Sequence, residues 1–250
     1  MILTRNHAEL TFEVKKHIEA DAVIQGDYWD GSKGCFIGCL THSRDPALAF
    51  ERFGLPEPLL RIAENIFEAL PSDDARAFFA ALPDAVACDG KDLSLVHWSF
   101  LAAEMRALPT VPDQIQRVID QVIAGMDTLA HGGEWCKDTA NDVAHAALAA
   151  ANAARGAALA AANAAYAADV ASSYTANAAP AYAGDAAANA AYVARTANAA
   201  ACASYAANTA AYVARATVGT AVGAAAYATR IRQRDSLLRL ISEAPIGEPK

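Results

Sequence analysis

A chain of 250 residues with 28 acidic and 20 basic side chains carries a formal charge of -8, which speaks against general nucleic-acid binding, because neutralising phosphates needs a basic surface. Hydrophobic residues make up 54%, but no strongly apolar run reaches the roughly 20 residues of a membrane span, so no membrane partner is expected. Five cysteines, an odd number, and the absence of a signal-peptide pattern at Met1-Ile-Leu-Thr-Arg point to a reducing, cytoplasmic setting.

In chain order, Leu10 to Gln25 reads as a first helix, with Val14, Ile18 and Ala22 on one face and His17 at the edge of that face. Gly26 to His42 follows as a constrained loop entering a tightly packed element, since four glycines, two large aromatics and two cysteines crowd into it. Pro46 to Phe53 is predicted helical, with Asp45 as N-cap and Gly54 as its stop. Leu59 to Leu70 is an amphipathic helix closed by Pro71. Ser72 caps the next, which Pro83 ends. Leu93 to Leu108 and Gln114 to Leu129 continue the pattern, and strand signals are nearly absent. The fold class is all-α, a compact N-terminal helical domain of five to seven helices followed by a long alanine-rich helical hairpin.

Composition changes sharply near Gly132-Gly133, so the N-terminal domain is assigned to 1-131 and the alanine-rich region to 132-250. About half of Thr139 to Thr229 is alanine, the residue with the best helix propensity but little area to bury, which favours long helices lying side by side. Ala179-Pro180 and Gly184-Asp185 place a turn near 179-185. Each arm would run roughly 65 Å at 1.5 Å per residue. Asn141, Asn152, Asn163 and Tyr174 recur every eleven residues, about three turns, and so fall near one line. That stripe reads as a solvent face or as a recognition face. Ser236 to Glu243 is a short C-terminal amphipathic segment, free to dock back on the first domain or to bind a partner.

Chemistry concentrates in the loop. Cys35, Cys39 and His42 follow a C-x3-C-x2-H spacing that would share one face of a continuous helix, with His17 as a fourth ligand, so zinc is the alternative to a first expectation of no cofactor and no metal. Alternatively Cys35, at a helix start, would have its pKa lowered by the dipole and act as a nucleophile, with His17, His42 or His97 as base. Against both stands plain packing, in which the cysteines are small buried hydrophobes and Tyr28 and Trp29 cover the glycines. No P-loop, dinucleotide fingerprint, nucleophile elbow or H-E-x-x-H is present.

The segments Gly26 to His42, Ile62 to Pro71 and Asp92 to Val96 resemble an uncharacterised family of bacterial and phage proteins with a Tyr-Trp, Lys-Gly-Cys-x-x-Gly-Cys signature and an alanine-rich tail of variable length. The resemblance covers most of the first 130 residues and implies no activity. This chain punctuates its tail with Asn and Tyr where the family uses Trp and Glu.

The first expectation is a non-enzymatic binding or assembly protein whose alanine-rich helices form a homo-oligomer or engage a protein partner. Its candidate binding residues are Tyr28, Trp29, Lys33, Asn141, Asn152, Asn163 and Tyr174. The alternative is a thiol- or metal-dependent enzyme centred on Cys35, Cys39 and His42. A second alternative is ice binding by the Asn/Ala face, whose repeat resembles the type I antifreeze pattern with Asn in place of threonine.

Overall fold

The computed structural model describes residues 3–108, 113–136, 138–140, 142–143, 145–146 and 222–247. They are mostly helical, with isolated β-bridges and no named strand among them. No helix among the described residues is long and apolar enough to cross a membrane. The expected hairpin, its turn at 179-185 and the Asn141, Asn152, Asn163 and Tyr174 stripe lie outside the described residues. The chain divides into two units, one of Met1–Phe100 with Arg230–Lys250, the other of Leu101–Thr229. Composition marks its break near Gly132-Gly133 instead.

In the first unit, α1 runs His7–Glu19 and buries Leu10, Val14 and His17. It ends well short of Gln25 because Asp21 turns into the left-handed region at φ 51. Arg76 donates to the Ile18 carbonyl at 2.5 Å and pairs with Asp21, which satisfies the frayed end. The next residues bond elsewhere: Ile24 N–H donates to the Gly34 carbonyl and Gly34 N–H to that of Ala22, each at 2.9 Å.

Helix α2, Phe36–Thr41, is one and a half turns long and every residue in it is buried. Phe36 anchors it, its ring 5.3 to 5.9 Å from those of Phe67, Phe78 and Phe79. Aromatic clusters of this kind hold more than their area alone would give. Helix α3, Pro46–Phe53, has the expected ends: the Asp45 carboxylate accepts from Ala47 N–H at 2.9 Å and Gly54 takes φ 69. Helix α4, Glu57–Ala69, buries Leu59, Leu60, Ile62, Ile66 and Phe67.

Helix α5, Ser72–Val86, runs through Pro83 instead of ending there, and its N-cap is Pro71 and not Ser72. Proline has no N–H to give to the carbonyl four residues back, so α5 forgoes one ladder bond at Pro83. Here Ala87 N–H closes the turn on the Pro83 carbonyl at 2.8 Å, and Ser72 Oγ donates to Gln25 Oε1 instead of capping. Helix α6, Val96–Arg106, begins in this unit and continues into the second.

The last helix, α8, spans Val222–Glu243, and the Ser236 to Glu243 segment forms its end, with Leu237 and Ile241 buried in the first unit. Lys91, 6% exposed, donates from Nζ to the carbonyls of Ala85, Ile241 and Ser242 at 3.1, 3.2 and 2.7 Å. One buried ammonium thereby closes the C-terminal ends of both α5 and α8, where the dipole favours a cation. The backbone around it is shared. Thr4 N–H donates to Lys91 O at 2.8 Å, Asp92 N–H to Pro245 O at 2.8 Å, and Gly247 N–H to Gly90 O at 2.7 Å.

In the second unit, α7 covers Asp113–Ala130 and buries Ile115, Ile119, Val122 and Met126. Trp135 lies directly on Gly125, where an added Cβ would meet the indole at 2.3 Å.

Candidate metal centre

The Gly26 to His42 loop is built by close backbone approach. A Cβ on Gly38 would fall 1.3 Å from the Tyr28 carbonyl oxygen, and one on Gly34 would fall 2.2 Å from the same atom. Only hydrogen fits there, so the Tyr28-Trp29 backbone lies flat on the start of α2. A short turn holds the far side, where Asp30 Oδ1 accepts from Ser32 N–H at 2.8 Å and Lys33 N–H at 2.7 Å. These amides hold the Asp30 carboxyl below the ordinary range.

This packing carries Trp29 onto the histidines. Its indole stacks on His42 at 4.5 Å between centroids and 24° between planes, and meets His17 edge-on at 5.5 Å. His17 comes from α1 and is almost fully buried, while His42 follows α2, takes φ 53 and is exposed. Their Nε2 atoms face each other at 3.0 Å. Two imidazole nitrogens at that distance cannot both present bare lone pairs, so a proton or a metal lies between them.

Glu13 completes the group. One turn before His17 on α1, it points Oε2 at both rings, 3.6 Å from His17 Nε2 and 3.7 Å from His42 Nε2. The three donors form a triangle of sides 3.0, 3.6 and 3.7 Å, whose centre is about 2.0 Å from each corner, within the zinc–imidazole and zinc–carboxylate range of about 2.0–2.2 Å. Among the described residues this is the group whose donors converge closely enough to hold a metal ion.

The charges around it suit a cation. Burial raises the Glu13 carboxyl, but Lys16, Arg52 and His42 more than offset this and hold it below its ordinary value, so it is an anion at neutral pH. Burial, reinforced by His42 and Lys16 and opposed by Glu13, lowers His17, so its imidazole is neutral and its lone pair available. Arg52 orients the carboxylate from the outside: its Nη2 lies 3.4 Å from Glu13 Oε1 and 2.6 Å from Glu9 Oε1, and its Nη1 donates to Leu40 O at 3.2 Å. Oε1 is thus held by α3, while Oε2 faces the histidines and, at 3.4 Å, Lys16 Nζ.

The cysteines stand apart from this group. Helix α2 ends at Thr41, and His42 turns left-handed, so the i, i+4, i+7 line of Cys35, Cys39 and His42 is broken at its last member. Cys35 is the N-cap residue, yet burial pushes its thiol up to about 11, with Glu64 and Glu68 adding to that and the Gly38 and Ile37 amides only partly offsetting it. Desolvation therefore outweighs the dipole, and the expected low-pKa nucleophile is not found. Cys39 is pushed up by burial to about 12, its Sγ 3.1 Å from the Gly34 carbonyl. Cys136 is exposed, and the Thr139 and Asp138 amides lower its pKa. Iodoacetamide should accordingly label Cys136 before Cys35, Cys39 or Cys88 in the native protein, as read by mass spectrometry of timed digests. Equal early labelling of Cys35 would restore the nucleophile reading.

Of the other expected residues, Tyr28 accepts from Arg61 Nη1 at 3.2 Å and lies under Arg44, whose Cζ is 6.0 Å from the ring centroid. Lys33 is exposed. His97 is 5% exposed, its Nδ1 has no partner, and burial lowers it to about 4. Glu13 was not among the expected ligands. Its signal was local, a Glu four residues ahead of a His on a helix, which places both on one face.

No family model, curated protein or solved structure matches this chain.

Proposed function

We propose that the protein binds a divalent transition metal of the zinc class through Glu13 Oε2, His17 Nε2 and His42 Nε2. The observation that carries this reading is the convergence of three donors around one point at metal–ligand distance. Two imidazoles and one carboxylate suit zinc and its borderline neighbours better than calcium or magnesium, which take oxygen ligands. Three protein ligands leave a fourth position, the arrangement of a working site and not of a closed structural one. The chemistry available is Lewis-acid polarisation or activation of bound water.

The full chain, stripped of metal and carrying Cys136→Ser so that its exposed thiol does not compete, should take up one equivalent of zinc or cobalt(II) by calorimetry. His42→Asn is the sharpest variant. Asn tolerates the left-handed conformation of this exposed position, so the fold survives while the ligand is lost. Affinity should fall at least about 100-fold, beyond the loss typical of outer-shell changes. Unchanged stoichiometry and affinity in His42→Asn would defeat the assignment.

A further inference from the structure

Resting on that reading, we infer that the fourth position of the metal takes a small oxyanion, a phosphate or carboxylate oxygen, and that Lys16 is the residue that selects it. Charge is the first ground. A divalent ion on one carboxylate and two neutral imidazoles keeps a net positive charge, and a site walled by an indole and largely buried donors screens it poorly.

Lys16 is the second ground. Its Nζ lies 3.4 Å from Glu13 Oε2, the same oxygen that faces both histidines. A metal on Oε2 draws off that oxygen's electron density and loosens its hold on the ammonium, which keeps three donors at the edge of the ion's coordination shell. The neighbouring cations are engaged otherwise. Arg52 is matched by Glu9 and bonded to Leu40 O, and Lys15 pairs with Glu19 at 3.7 Å. Lys16 is about half exposed and His42 is exposed, whereas Glu13 and His17 are buried, so an anion from solvent meets the group through Lys16 and His42. A neutral ligand would leave the ammonium and the ion repelling each other. An oxyanion bridges them, with one oxygen on the metal and another accepting from Lys16.

Cobalt(II) makes both levels visible, because its d–d absorption reports the metal and shifts when an inner-sphere ligand changes. Full-length protein loaded with one equivalent of cobalt should shift its spectrum with millimolar orthophosphate or acetate, and their ranking tells phosphate from carboxylate. Lys16→Met, which keeps the aliphatic stem, should weaken anion binding about tenfold or more while cobalt affinity stays the same or rises. If cobalt binds but neither anion moves the spectrum, or Lys16→Met binds anions as well as the parent, the oxyanion inference is overturned and the metal reading stands. A protein that takes up no cobalt overturns both.

Discussion

Gly38→Ala should cost more than about 3 kcal/mol and lower the melting temperature on the order of 10 °C. The added methyl would sit 1.3 Å from the Tyr28 carbonyl oxygen and 2.4 Å from its carbon. Both are backbone atoms, so no rotamer change relieves the clash. Helix α2 cannot retreat without pulling Phe36 from its cluster with Phe67, Phe78 and Phe79. Gly38 also accepts His42 N–H at 2.7 Å, so any displacement moves a proposed ligand. Gly31→Ala is the control. Nothing lies within 4 Å of a Cβ there, and the only cost is its φ of +105, on the order of 1–3 kcal/mol for a strained backbone. Thermal melts followed by circular dichroism decide between them. If Gly38→Ala melts within a few degrees of the parent, the Tyr28 backbone does not lie where it is placed.

Acidification should destabilise the protein through His97. This side chain is 5% exposed, its Nδ1 lacks a partner, and its pKa is lowered by burial from 6.5 to about 4. The unfolded chain takes up the proton more readily than the folded one. His97 therefore contributes its full stability above pH 6.5 and loses it as pH falls toward 4, an amount of about 3 kcal/mol at about 1.4 kcal/mol per unit. His17, lowered in the same direction, steepens the slope. Urea unfolding at pH 7.5 and at pH 4.5, in chelator, should show most of this loss. His97→Leu should flatten the dependence by that amount, since Leu does not titrate and Nδ1 has no partner to lose. Parallel pH slopes for parent and variant would mean that the imidazole is solvated or paired.

Legibility in the sequence followed the range of the signals. Helix α3 was readable to the residue because Asp45, Pro46 and Gly54 are local chain-end chemistry that needs no tertiary context. Helix α1 was misjudged at its end, since Ala20 and Ala22 favour helix while Gly34 claims the backbone of Ala22 and Ile24 from a distance. Helix α5 runs on past Pro83 although the proline forgoes a ladder bond there, so a breaker residue did not mark its end. In the site, His17 and His42 stood out as metal-ligating residues, but their meeting depends on Tyr28 lying against Gly38, a contact that no spacing rule encodes. The cysteine spacing pointed to a face that the left-handed turn at His42 removes. Glu13 was overshadowed by the cysteines, although its four-residue offset from His17 was there to be read.

The hydrogen bonds that join Thr4, the Gly90 to Asp92 backbone and Pro245 to Gly247 close the first unit across its two chain segments, so that residues 101–229 are, in sequence, an insertion into it. Because Lys91 grips Ile241 and Ser242 as well as Ala85, a nick in the insertion would leave two polypeptides held as a complemented pair. The proposed metal ligands, all within the first 42 residues, belong to the unit that these bonds close and not to the alanine-rich insertion.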